Sequence, residues 1–309
     1  YNPNGHSFVL HSAHFNIDHK FSDSLTAHIG IDAGRDATIN GARPYGGGPF
    51  DVLEAFATYT GGKVSLTAGK FVTYEGIEVA PGPLNPTVTR GYLYYFAEPI
   101  THTGFKVHYQ ATDELNIGLG IVNGWDNLVD DNNMKTFIGR IGYTPSTSFF
   151  AALSATYGAE ALHNDKNQRL SLDLTGCWTV TDTLLLNFQG NFGTEPNAGY
   201  KNQSSTAIDS TASWYGVGVQ PVYTSGAWSL AGRLEWFADP NGARVAAAAA
   251  GAKGNYVNVT LAPGYKLADG FRIRAELRAD ISTEKTIPLV ARGAGTTMFT
   301  GALMADYQF

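Results

Sequence analysis

Apolar and polar residues alternate along most of this chain with the period of a β-strand. In the segment 25–34 one face carries only apolar side chains, namely Leu25, Ala27, Ile29, Ile31 and Ala33. The same alternation recurs in the segments 105–121, 170–178 and 184–192. Successive side chains of a strand point to opposite faces, so each segment predicts a strand with one apolar and one polar face. The chain contains about fifteen such segments.

The connections between these segments alternate between short and long. The short turns fall at residues 19–24, 61–62, 113–114, 145–147, 179–183, 225–226 and 266–270. The long connections fall at residues 35–50, 71–101, 125–134, 158–167, 194–210, 238–253 and 283–295. Outer-membrane barrels have short periplasmic turns and long external loops. The pattern therefore predicts an all-β fold, a transmembrane up-and-down antiparallel barrel formed by residues 1–309 as one domain.

An odd number of strands would place the two chain ends on opposite sides of the membrane, which is unusual for a bacterial barrel. We therefore expect a first strand before Tyr1, followed by a turn at residues 3–5. The expected total is about 16 strands. On this count the connection 71–101 is the third external loop.

Aromatic residues mark the expected membrane boundaries. Trp228 and Trp236 share a face with aliphatic residues between them, and the strand between them would span roughly 20 Å of the bilayer. Tryptophan and tyrosine prefer the headgroup zones of a membrane. The predicted girdle residues are Trp178, Trp228, Trp236, Tyr307 and Phe309.

Composition and motifs exclude several other classes of protein. No run of 18 apolar residues is present, but the alternating strands of a barrel would not produce one. The net charge of −6 gives no basic surface for nucleic acid. No catalytic motif or Cys/His metal spacing occurs, so we expect no enzyme activity, no catalytic residue, no metal and no cofactor. Asp126, Asp130 and Asp131 could offer oxygen ligands to Ca²⁺, although a solvated acidic turn is the simpler interpretation.

The segment 70–104 is the longest interruption of the strand pattern. It contains four prolines, which exclude a central strand, and a cluster of aromatic residues that can pack against a surface. We expect the loop at about 71–101 to fold into the barrel lumen as a constriction, while an ordinary surface loop remains the alternative. Its charged residues, the expected pore constriction, are Glu75, Glu78, Arg90 and Glu98.

A ladder of charged residues lies on the predicted lumen face, where water would solvate it. Its members are Arg272, Arg274, Glu276, Arg278, Asp280, Arg233, Glu235, Arg140, Arg169 and Lys106. Acids on the inward loop opposite the arginines would create a transverse field that filters solutes by charge. Alternatively, the arginines pair with Glu276 and Asp280 and only brace the wall.

Two stretches resemble a known family. The run GKFVTYEGIEV at 69–79 and the run EPITHTGFKVHYQATDELNIGLGIVNGWDN at 98–127 are similar to the OmpL-like family of outer-membrane β-barrel porins. The last strand, which ends at Phe309, resembles the signal that the barrel assembly machinery recognises in bacterial outer-membrane proteins. The resemblance implies a porin-like barrel in the bacterial outer membrane.

We therefore expect a passive diffusion channel for small hydrophilic solutes or ions. The alternative is a structural or interaction barrel that is plugged by its loops and does not conduct. Expected partners are outer-membrane lipid and lipopolysaccharide, the assembly machinery, and two further copies of the chain in a trimer, with no nucleic acid.

Overall fold

The computed structural model of the chain describes residues 7–201, 206–208, 211–245, 253–283 and 296–309. Its strands are β1 (Ala13–Lys20), β2 (Leu25–Ala33), β3 (Phe50–Gly61), β4 (Val64–Val72), β5 (Thr101–Gln110), β6 (Leu115–Val122), β7 (Thr136–Ser146), β8 (Phe149–Ala159), β9 (Gln168–Thr181), β10 (Leu184–Glu195), β11 (Gly199–Lys201), β12 (Thr206–Ile208), β13 (Ala212–Ser225), β14 (Trp228–Asp239), β15 (Gly254–Ala268), β16 (Phe271–Ser282) and β17 (Thr297–Tyr307). Fifteen of them form one sheet, and β11 and β12 form a separate hairpin.

Each strand of the large sheet pairs with its neighbours in sequence, and every pairing is antiparallel. Among the described residues, only the β11–β12 hairpin interrupts this order, since β10 pairs directly with β13. The predicted all-β, up-and-down antiparallel fold is therefore confirmed. The short turns and the described long connections fall where the sequence places them. The turn expected at residues 3–5, most of the connection 283–295, and parts of the connections 194–210 and 238–253 lie outside the described residues.

The two edge strands of the sheet, β1 and β17, approach each other. The ring centroids of Phe15 on β1 and Phe309 after β17 lie 6.2 Å apart. Within the described residues β1 pairs only with β2, and β17 pairs only with β16. A cavity of about 920 Å³ lies at this seam and is lined by residues of both edges. The sixteenth strand stays a prediction.

The outer face of the sheet is apolar and the inner face is polar. On β16, Leu277 is 69% exposed, whereas its neighbours Glu276 and Arg278 are 2% and 5% exposed. This period of two is the expected consequence of strand geometry in a closed barrel. The predicted girdle residues all lie exposed on the outer surface, namely Trp178, Trp228, Trp236, Tyr307 and Phe309. Their contact with a membrane interface stays a prediction.

The long connections contain short helices that the sequence pattern does not predict. They are α1 (Arg35–Asn40), a 3₁₀ turn (Gly82–Leu84) and a π-helical turn (Leu93–Ala97). Among the described helices, none has the length and apolar character that a membrane span requires. The π-helical turn packs into a buried cluster with Tyr92, Trp214 and Phe237.

Candidate functional site

The loop between β4 and β5, residues 73–100, enters the barrel lumen, and we call it the lumen loop. Strand pairing continues up to its base, where Val72 on β4 is the partner of Thr101 on β5. The four charged residues expected in this loop, Glu75, Glu78, Arg90 and Glu98, are all at least 93% buried against other parts of the protein. The predicted inward fold of the loop is confirmed.

The first part of the lumen loop is bound to β8 and β9. The Glu75 carboxylate accepts hydrogen bonds from the hydroxyls of Thr156 and Ser171, each at 2.6 Å. The backbone N–H of Gly76 donates to Asp173 at 3.0 Å. Gly76 has a φ of 90°, and a Cβ at this position would collide with the carboxylate of Glu98. A glycine is therefore required where the loop turns against this wall.

Glu98, at the end of the lumen loop, contacts the same part of the barrel wall. Gln189 on β10 donates to Glu98 at 2.5 Å and to Asp173 at 2.8 Å, so one amide group holds two carboxyl groups together. Burial and the nearby Asp173 raise the pKa of Glu98 well above its usual value. The same two causes raise the pKa of Glu75 to about 8. Both loop carboxyls therefore favour the neutral form more than an exposed glutamate does.

The middle of the lumen loop is bound to β14 and β16. Glu276 accepts hydrogen bonds from the backbone N–H groups of Val88 and Thr89 at 2.7 and 3.0 Å. Glu235 accepts from those of Tyr92 and Leu93 at 2.6 and 2.7 Å. These carboxylates thus satisfy backbone donors that would otherwise be buried without a partner.

The arginines of the wall satisfy the carbonyl groups of the same loop segment. Arg274 donates to the carbonyl oxygens of Asn85 and Thr87, and Arg278 donates to that of Arg90. Arg272 donates to the carbonyl oxygen of Pro83 at 2.6 Å. The ladder on β14 and β16 is therefore a binding surface for the loop backbone, with acids holding N–H groups and arginines holding carbonyls.

The expected transverse field requires loop acids opposite the arginines, but Glu78 lies directly against one of them. Its carboxylate contacts the Arg233 guanidinium directly, at 2.6 Å, and both side chains are buried. Burial favours the neutral form of Glu78, but Arg233 and the N–H of Gly91 outweigh it and hold the pKa of Glu78 below its usual value. The physical reason is the path of the loop, which lies against β14 and β16 instead of opposite them.

The bracing interpretation of the ladder is correct in part. Arg278 pairs with Asp280 through two hydrogen bonds of 2.8 Å. Glu276, however, binds the loop backbone, and Arg272 and Arg274 share Asp306 of β17 instead. Arg169 pairs with Glu195 at 2.7 Å. The sequence gives the face on which each charge lies, but not its partner.

Arg90 is the one cation of the lumen loop, and it binds the connection between β2 and β3. Its guanidinium makes a bidentate pair with Asp36 of α1, at 2.8 and 3.0 Å, and also donates to the carbonyl oxygen of Ala80. Asn40 of α1 accepts a hydrogen bond from the hydroxyl of Tyr94. The loop at 34–49 is thus a second support for the lumen loop, which sequence reasoning did not identify.

A cluster of tryptophan and arginine side chains packs against the last part of the lumen loop. Arg244 lies over the rings of Trp125 and Trp214, at 4.5 and 5.2 Å from their centroids, and donates to the carbonyl oxygen of Phe96. Burial lowers the pKa of Arg244 to about 9. Such cation–π contacts partly replace the lost hydration of a buried guanidinium.

The acidic connection 125–134 has a structural role in the described residues. Asp126 accepts hydrogen bonds from the N–H groups of Ile100 and Thr101 at 2.7 and 2.9 Å, Asp130 pairs with Lys135, and Asp131 lies 3.8 Å from Arg43. Within the part of the chain that the structure describes, no group of three His, Cys, Asp or Glu side chains could hold a metal ion.

Cys177 faces inward and lines a cavity.

One half of the barrel wall has little contact with the lumen loop. Apart from the ring of Tyr74, the described contacts of the loop with the wall strands go to β8, β9 and β10 and to β13, β14, β15 and β16. On the other side, Lys106 of β5 and Arg140 of β7 both lie near the ring of Tyr74. A cavity of about 290 Å³ adjoins Arg140, Tyr74, Thr175 and Asn187.

Comparison with protein families places these features in a known context. The family model described as "Putative beta-barrel porin-2, OmpL-like" matches residues 2–309. The chain belongs to this family. The predicted resemblance is therefore confirmed over nearly the whole sequence, and with it the assignment to outer-membrane porins. A comparison with curated protein sequences finds no significant match.

Solved structures of outer-membrane proteins have the same fold at low sequence identity. OmpT of Vibrio cholerae is 14% identical, with a TM-score of 0.59 over 96% of this chain and 89% of that one. The channel DcaP of Acinetobacter baumannii is 12% identical, with a TM-score of 0.59 over 96% and 84%. An anion-selective porin from Comamonas acidovorans is 8% identical, with a TM-score of 0.60 over 96% and 86%.

Proposed function

We propose that the chain is a passive diffusion channel of the bacterial outer membrane for small hydrophilic solutes and ions. One observation carries the proposal: the lumen loop is fastened to β8–β10 and to β13–β16, whereas its described contact with β5–β7 is the ring of Tyr74, and Arg140 of β7 lines a cavity. A loop held at one side of a barrel narrows the lumen and leaves a passage along the other side. Porin family membership supports the same function.

In this proposal the protein acts by shape and charge and carries out no covalent chemistry. Fixed hydrogen bonds hold the loop, so the size of the passage does not depend on a moving lid. A solute loses part of its hydration shell on entry and regains contacts with polar side chains of the wall. Glu75, Glu78, Arg90 and Glu98 set the position of the constriction through their contacts with the wall, and they do not need to touch the solute.

A plugged, non-conducting barrel remains the second candidate, and a specific observation favours it. The lumen loop contacts β8–β10 through Glu75 and Glu98, β14 and β16 through its middle, and α1 through Arg90. These contacts lie on three sides of the lumen. A barrel closed in this way would serve the envelope as a structural or binding protein.

The remaining expected partners are part of the proposal. The exposed aromatic residues of the outer face suit contact with lipid and lipopolysaccharide. Phe309 is exposed at the end of β17, where the assembly machinery could reach it. A homotrimer is expected from the size of the barrel.

A liposome-swelling assay tests the proposal. Liposomes that contain the folded protein should swell in iso-osmotic solutions of small sugars, and the rate should fall steeply as the sugar becomes larger. Liposomes with heat-denatured protein are the control. Equal rates with folded and denatured protein for every solute would contradict a diffusion channel and favour the plugged barrel.

A further inference from the structure

Two cations of the lumen wall differ from all the others described above. Arg169, Arg233, Arg272, Arg274 and Arg278 each pair with a carboxylate. Lys106 and Arg140 make neither a salt bridge nor a side-chain hydrogen bond with any described residue, and the buried Nε of Arg140 has no acceptor. Their described neighbours are aromatic rings: Phe71 and Tyr74 for Lys106, and Tyr74 and Phe150 for Arg140.

The two cations are brought together by the register of three strands. Lys106 of β5 is the partner of Gly120 on β6, and Arg140 of β7 is the partner of Gly118 on β6. No side chain of β6 therefore stands between them at these positions. A Cβ at Gly118 would lie 2.9 Å from the Tyr74 hydroxyl and 3.1 Å from Nε2 of His108. Glycine at position 118 therefore leaves the space that the Tyr74 ring occupies between the two cations.

The two cations are only partly buried, unlike the acids of the loop. Arg140 lines the cavity of about 290 Å³, which also contains the polar groups of Thr175 and Asn187. A guanidinium can bind a carboxylate or phosphate oxygen through its terminal N–H groups, and hydroxyl and amide groups can complete the shell of an anion.

The acids near this half of the lumen are already engaged. Asp51 pairs with Lys70 at 3.0 Å, and Glu54 accepts the N–H of Val72 at 3.2 Å and lies 3.6 Å from His28. Glu75 and Glu98, which line the same cavity as Arg140, are buried, and both have a raised pKa. The partly exposed, unpaired charge beside the cavity is therefore positive.

We infer that Lys106 and Arg140 form an anion-binding site in the pore. This site makes the channel selective for small anions, both inorganic anions and carboxylates. The inference rests on the proposed function, because it requires a conducting pore. The overall charge of −6 does not oppose it, since selectivity depends on the charges that the permeating ion meets.

The test is the reversal potential of the purified protein in a planar bilayer under a KCl gradient. The wild type should show anion selectivity. The double variant Lys106→Gln with Arg140→Gln should lower the chloride-to-potassium permeability ratio by roughly tenfold, the lower end of the enrichment that a charged cleft produces. The variant Lys106→Arg with Arg140→Lys keeps both charges and should keep the selectivity.

The matched control is the double variant Lys20→Gln with Lys63→Gln, which removes two positive charges at the short-turn end of the barrel. The ion selectivity of this variant should match that of the wild type. Folding of each variant is checked by heat-modifiable gel mobility. A conducting wild type that prefers cations, or a double Gln variant with an unchanged reversal potential, would overturn the inference and leave the proposed function intact. A folded wild type without conductance would overturn the proposed function itself.

Discussion

Glu75 is a residue of the lumen loop whose protonation depends on pH in the neutral range. It is buried at the contact between the lumen loop and β8–β9, and its pKa is raised from 4.5 to about 8. The folded protein therefore keeps a proton that the unfolded chain releases between pH 4.5 and 8. Since the unfolded state binds fewer protons in this range, the contribution of Glu75 to stability falls as the pH rises.

The variant Glu75→Gln should remove this part of the pH dependence, because Gln stays neutral and can still accept and donate hydrogen bonds. We expect the melting temperature of the wild type in detergent to fall more between pH 5 and pH 8.5 than that of the variant. The variant Glu114→Gln, in an exposed short turn, is the control and should behave like the wild type. Parallel pH profiles for the wild type and Glu75→Gln would show that Glu75 does not hold the proton.

At the scale of single residues, the sequence predicts orientation but not partners. The alternation on β16 correctly placed Arg272, Arg274, Glu276, Arg278 and Asp280 inside the barrel. It could not predict that Arg233 binds Glu78, because the two residues are 155 positions apart and meet only through the path of the loop. Asp36 and Arg244, which hold Arg90 and Phe96, lie in connections without a periodic pattern, so no sequence signal identified them.

The lumen loop is the element on which the proposed constriction depends. Because Val72 and Thr101 are direct partners, residues 73–100 can be replaced by the two-residue turn Asn-Gly without breaking the pairing of β4 and β5. We expect the deletion variant to conduct at least about twofold more than the wild type, because the loop no longer narrows the lumen. Replacing residues 161–167 of the connection between β8 and β9 by a short turn, with the buried Glu160 kept, is the control. Equal single-channel conductance of wild type and deletion variant would show that the loop is not the constriction.

The strands were predictable as elements because their period of two extends over many residues. The short helices and the β11–β12 hairpin were not, because each has only three to six residues and depends on contacts from elsewhere. The π-helical turn at Leu93–Ala97, for example, starts where Glu235 binds the N–H groups of Tyr92 and Leu93. An isolated segment with the same sequence lacks this partner.

At the scale of the whole molecule, the barrel has two different ends, with short turns at one and long connections at the other. We expect the long connections to face the exterior of the cell. In a Cys177→Ser background, a cysteine at Tyr45 should react with a membrane-impermeant maleimide on intact cells, whereas one at Gly62 should react only after the cells are lysed. Both positions are exposed in the structure, so the reactivity depends on the side of the membrane. The opposite result would invert the topology.

Single-channel recording in planar bilayers separates an open porin from a barrel plugged by its lumen loop. We expect discrete, ion-conducting steps when purified, folded protein inserts, and larger steps for the variant without residues 73–100. The absence of conducting steps for the wild type at any voltage, together with steps for the loop-deletion variant, would contradict an open porin and identify the lumen loop as a plug.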